Sequence, residues 1–155
     1  MAASARRLAR AMSGIAGALW ALPLTAPMLV MGLLAWPFGA RFSTVGPMLV
    51  VTRFPFGPMG ALALGQVVLS RLPTLDLRVP SYRARDAARR DLPAPFRTER
   101  VHLGRHELAH VRQALVLGPL FPLAYLISGG VSARNRFERA ADRYARSGRG
   151  WWPEW

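Results

Sequence analysis

The three histidines of this chain, His102, His106 and His110, fall within nine residues, and the last two frame the run His106-Glu107-Leu108-Ala109-His110. On a helix, residues four apart share a face, so both imidazoles can reach one metal ion. Zn²⁺ held in this way lowers the pKa of a coordinated water to about 7, and a carboxylate beside it can take the proton. Glu107, one step round from the first ligand, suits that role. Leu108, Ala109, Val111, Ala114 and Leu115 make the surrounding helix a buried one, Gln113 shares the ligand face, and Gly118-Pro119 is a breaker pair that ends it. The competing reading is a core helix that carries one satisfied histidine.

A hydrolytic zinc site needs a third protein ligand and an open fourth position. The chain has no cysteine and no histidine outside this cluster, so the third ligand must be a carboxylate. Downstream of the motif stand only Glu138, Asp142 and Glu154. The run from Asn135 to Ala145 reads as a second amphipathic helix, with Phe137, Ala141, Tyr144 and Ala145 as its apolar stripe. Asn135 is its N-cap, and Gly148 follows its end. Glu138 and Asp142 are four apart and share a face. Glu138 could bind the metal while Asp142 accepts a hydrogen bond from the other nitrogen of a ligand imidazole. Taken alone, the two acids would serve as well to balance Arg134, Arg136, Arg139 and Arg143. His102, if helical, lies about 12 Å of helical rise from His110, too far to share the ion. It reads as a structural or surface histidine, with a part in orienting substrate or steadying an oxyanion as the rival role.

His106-Glu107-x-x-His110 followed by Glu138-x-x-x-Asp142 resembles the gluzincin branch of zinc metallopeptidases. More narrowly, the stretches Leu103 to Gln113, Leu117 to Tyr125 and Asn135 to Asp142 are similar to small bacterial zincin-like proteins. Those carry H-E-x-x-H-x-x-Q, L-G-P and F-E-x-x-A-[DN] signatures and are often membrane-associated. The resemblance spans residues 58–146, or thereabouts. It implies that His106, His110 and Glu138 bind Zn²⁺, that Glu107 is the general base, and that Asp142 supports a ligand histidine. It also implies a peptide or protein substrate and a place at the bacterial inner membrane. For the group that stabilises the tetrahedral intermediate it offers no clear equivalent. His102, Arg112, Tyr125 and Tyr144 are the candidates.

The elements that must position these residues fit one small domain of an α+β, mainly helical class. Residues 1–14 form a basic N-terminal segment with Arg6, Arg7 and Arg10. From Ile15 to Phe38 the chain is apolar and uncharged, about 24 residues, enough to span a bilayer. Pro23 and Pro27 would kink such an anchor. The rival is a buried hairpin. The zincin-like domain then occupies 41–155. Between Val45 and Leu72 the chain is hydrophobic but interrupted by Arg53, Pro55 and Pro58, which disfavours a second crossing. Ala61 to Ser70 is β-compatible, and Leu75 to Val79 is a further short strand. A small sheet over the active-site helix is expected, its edge strand able to align an extended peptide. Residues 80–100 read as a solvated connection with a short helix from Ser81 to Arg90, and Ala114 to Ser128 as core or as a surface-dipping segment.

The formal charge is +13, and every one of the 21 basic residues is arginine. No stacking or recognition-helix motif accompanies that charge, so nucleic acid is not the expected partner. Anionic lipid is the simpler one, since a basic residue near a membrane surface gains about 1 kcal/mol. The tail Trp151-Trp152-Pro153-Glu154-Trp155 suits a membrane interface or packing onto the domain. The arginines before the anchor and those in the domain argue for opposite orientations, which leaves the side of the membrane open. Together these features read as a membrane-anchored zinc metallopeptidase. An intramembrane metalloprotease and a zinc-stabilised, non-catalytic membrane scaffold are the alternatives. Arg105 and Arg112 on the motif helix weigh against burying it in lipid.

Overall fold

Met48-Leu-Val-Val-Thr52 and Val67-Val-Leu-Ser70 are apolar at nearly every position, the pattern of strands covered on both faces. In the computed structural model, which describes residues 12–57 and 60–154, both runs are strands. Arg6, Arg7, Arg10, Pro58 and Trp155 lie outside the described residues. Four strands, β1 (Arg41–Val45), β2 (Met48–Thr52), β3 (Ala61–Leu64) and β4 (Val67–Ser70), form one sheet in the order β1-β2-β4-β3. β1–β2 and β3–β4 are antiparallel hairpins, and β2 runs parallel to β4. The β-compatible run from Ala61 is therefore two strands, turned at Gly65, where φ is +63°. A second, two-stranded sheet pairs β5 (Arg78–Pro80) with β6 (Arg100–His102).

Helices cover both faces of the larger sheet. α4 (Leu103–Leu117) meets Met48, Val50, Ala63 and Val68 through Leu103 and Val111. On the other face α2 (Leu22–Ala35) sets Met28 and Ala35 against Val51, Val67 and Leu69. Val50 and Val51, and likewise Val67 and Val68, thus point to opposite layers, as the two-residue period of a strand requires. α6 (Arg136–Ser147) packs along α4 and completes the helix pair that carries the metal-site motif. α3 (Tyr82–Arg89), capped by Ser81, lies in the connection before β6, and α5 (Phe121–Ile127) links α4 to α6.

The apolar N-terminal stretch is kinked, as its prolines predict. α1 (Met12–Trp20) and the following helix to Phe38 are bent by 69° at Ala21. Pro23 supplies the reason: its ring conflicts with the carbonyl four residues back, at Leu19, and ends α1. Pro27 sits inside α2 without ending it. α2 is moreover built into the domain. Thr25 Oγ1 accepts a hydrogen bond from the Gln66 amide at 3.1 Å, and a Cβ at Gly32 would lie 2.9 Å from Val51. The boundary expected between an anchor at 15–38 and a domain from 41 is therefore bridged by packing. One continuous run, Leu103–Ile127, is long and apolar enough to cross a membrane, because a 3-10 turn at Gly118–Leu120 carries α4 into α5. Its His106, Glu107, His110 and Gln113 are buried within the protein, as in a core helix.

Candidate metal centre

α4 places His106 and His110 one turn apart, and α6 brings Glu138 opposite them. Glu138 Oε2 lies 3.0 Å from His106 Nε2 and 3.3 Å from His110 Nε2, and the two Nε2 atoms are 3.1 Å apart. All three side chains are buried. These edges match the roughly 3.3 Å spacing of ligand atoms around a tetrahedral ion with bonds of about 2.0–2.1 Å. The donor set, two imidazoles and one carboxylate, suits Zn²⁺. The three residues therefore fit a metal ion.

Each of these three side chains is held from behind. His110 Nδ1 lies 2.8 Å from Gln113 Oε1, while Gln113 Nε2 donates to the Trp151 carbonyl at 2.7 Å and to the Phe137 carbonyl at 3.4 Å. With its amide so oriented, Gln113 can only accept from His110, which leaves the Nε2 lone pair free for a metal. His106 Nδ1 lies 2.9 Å from Asp142 Oδ1, at ion-pair distance but without hydrogen-bond alignment, and neither atom has another partner among the described residues. Asp142 Oδ2 accepts the Tyr82 amide at 2.9 Å, which ties the start of α3 to the centre. The Tyr125 hydroxyl donates to Glu138 Oε1 and leaves Oε2 turned toward the histidines. Asn135, fully buried, caps α6 and donates to the Tyr125 and Gly130 carbonyls, so one side chain sets the positions of both Tyr125 and Glu138.

Protonation follows from this packing. Burial pushes His106 down, but Asp142, Glu138 and Glu107 outweigh it and lift it to about 10. Burial likewise opposes the charge on His110, which Glu138 restores and raises. Glu138 is pushed up by burial, yet the two imidazoles hold it well below the usual carboxylate range. Glu107 is different: burial raises it against the opposing pull of His106 and His110. Its carboxylate has no hydrogen-bond partner among the described residues, and it faces a cleft of about 670 Å³. β3, one of the sheet's two edge strands, forms one wall of that cleft; Leu103, Phe121, Tyr125 and Leu126 line it from the helices.

Of the expected site residues, His106, Glu107, His110, Gln113, Tyr125, Glu138 and Asp142 come together. His102, Arg112 and Tyr144 do not. His102 is the N-cap of α4, its Nδ1 accepting from the Arg105 amide and its Nε2 paired with Asp76 at 2.9 Å, and it lines a different cavity. Arg112 stacks over the Tyr144 ring at 4.8 Å, and Tyr144 packs on Ala109 and Ala141, away from the cleft. Tyr125 is engaged with Glu138 and so buttresses a candidate ligand. Two residues at the site had not been anticipated. Tyr82 stacks on the His106 ring at 5.8 Å, and Arg85 lies over Tyr82 at 5.0 Å; both line the cleft. The only sequence signal was Ser81, a helix start that could bring the next residue to a fixed place.

Comparisons with protein families, curated proteins and solved structures return no match.

Proposed function

We propose that this protein is a membrane-associated zinc metallopeptidase with a zincin-like fold, in which His106, His110 and Glu138 hold Zn²⁺. The observation that carries the reading is the meeting of three candidate ligand atoms at 3.0–3.3 Å beside a buried Glu107 with no hydrogen-bond partner among the described residues. A structural metal site would have no need of that free carboxylate. Bound there, the ion would supply Lewis acidity, polarising a peptide carbonyl and acidifying a water.

The chain's own residues supply the rest. The free edge of β3 can pair with an extended peptide and lay it across the cleft. Glu107, with its affinity for protons raised by burial, takes the proton from the attacking water as the C–O bond forms. It then returns that proton to the nitrogen as the C–N bond breaks. Tyr82 has no hydrogen-bond partner for its hydroxyl among the described residues and stays protonated, since burial and Glu138 both raise it. It takes the role of donor to the developing oxyanion. Asp142, Gln113 and Tyr125 hold the ligands in place.

Glu107→Gln tests this reading. The variant should keep zinc at the wild-type ratio and lose at least about a hundredfold in cleavage of a peptide library read by mass spectrometry. Equal cleavage by the variant, or none by the zinc-loaded wild type, would leave a zinc-stabilised scaffold as the better account.

A further inference from the structure

The outward faces of the N-terminal helices and of α5 are apolar and are left uncovered by the described residues. On α1, Met12, Ile15 and Leu19 are exposed at spacings of three and four, one helical face. α1 is docked on the end of α4: a Cβ at Gly17 would lie 3.0 Å from the Leu115 carbonyl, and the Trp20 ring lies over Gly118. At that end of α4 and along α5, Val116, Leu120, Leu123 and Ile127 are each between 53% and 78% exposed. Apolar side chains left exposed along successive turns mark a surface that meets a partner or a membrane. The face of α5 also runs into the cleft of the candidate metal centre. α5 contributes Phe121, Pro122 and Tyr125 to the cleft wall, and Leu126 and Val131 both line the cleft and stand exposed at its mouth.

Rested on the peptidase reading for the word substrate, and independent of it for the docking, we infer that this face enters a lipid bilayer and that the cleft opens onto it. The substrate is then a hydrophobic segment of a membrane protein that reaches β3 from lipid. Two facts single out a bilayer as the occupant. Both α1–α2 and Leu103–Ile127 have the length and apolarity of membrane segments, yet one is bent by 69° and the other carries buried metal ligands. Such elements suit a dip into one leaflet better than a crossing. The charge of +13, all arginine, complements anionic headgroups.

The test uses the full zinc-loaded chain and the double variant Leu123→Glu/Ile127→Glu, which alters the outward face of α5 and no cleft-lining residue. Flotation with vesicles of phosphatidylcholine and phosphatidylglycerol should carry the wild type and weaken about a hundredfold in the variant. Zinc content should be unchanged. A zinc-binding hydroxamate on a long acyl chain, dissolved in the vesicles, should bind the wild type and lose most of its binding in the variant. Water-soluble acetohydroxamate should bind both equally. A wild type that ignores vesicles, or that buries this face in a dimer instead, would overturn the inference. Equal binding of the acyl probe by both proteins would overturn the opening of the cleft toward lipid. Neither result depends on peptide cleavage, so failure of the peptidase reading would be seen separately.

Discussion

Gln113 links the C-terminal tail to the candidate metal centre, and replacing it by leucine should loosen both. The side chain is fully buried, accepting from His110 at 2.8 Å and donating to the Trp151 carbonyl at 2.7 Å. Leucine has a similar volume and no polar atom. It would leave the His110 Nδ1–H and the Trp151 carbonyl without partners, at about 1–3 kcal/mol for each buried group. The expected loss is roughly 2–4 kcal/mol, a fall in Tm of about 5–15 °C for a domain of this size. Freed to rotate, His110 should bind zinc about 10–100-fold more weakly. Gln113→Glu separates the two effects. Its carboxylate still accepts from His110 and should keep zinc affinity near the wild-type value. It cannot donate to Trp151 or Phe137, so stability should still fall. Competition with a chromophoric chelator gives the affinities, and calorimetry gives Tm. Wild-type zinc affinity in Gln113→Leu would refute the view that this amide sets the ligand's tautomer.

Other consequences follow from the same geometry. Tyr125→Phe removes the partner of Glu138 Oε1 and should weaken zinc about tenfold in the same competition, with the fold intact by circular dichroism. Tyr82→Phe should lower kcat with KM nearly unchanged once a substrate is found, because its hydroxyl is asked to act only on the oxyanion. Gly65→Ala would force a side chain at φ +63° to within 2.4 Å of Thr25 Oγ1. That should cost about 1–3 kcal/mol and lower Tm measurably, while a free membrane anchor would predict no change. In chelated protein, His106 is raised from 6.5 to about 10, so its contribution to stability is fully present below pH 6.5 and lost as pH rises through 10. Urea denaturation of the metal-free chain should therefore weaken between pH 7 and 10, and zinc-loaded protein should lack that decline.

Much of the centre was legible because helical periodicity is strong over short distances. His106 and His110 at i and i+4, and Glu138 and Asp142 on the next amphipathic helix, needed only the 3.6-residue turn and the Asn135 cap. What lay beyond reach was contact across the chain. Tyr82 reaches His106 from an arginine-rich connection, and Trp151 reaches Gln113 from the tail; no local pattern announces either. α2 was ambiguous for a different reason. It is apolar on every side, so its packing on Val51 and Leu69 and its possible exposure to lipid write the same sequence. β1 went unread because all but one of its residues are exposed and it is a strand only by virtue of pairing with β2.

Elemental analysis of zinc in the purified full chain, wild type beside Glu138→Ala, tests the central claim most directly. The account predicts close to one zinc per wild-type chain and its loss in Glu138→Ala. No zinc in the wild type after metal repletion, or full retention without Glu138, would contradict it.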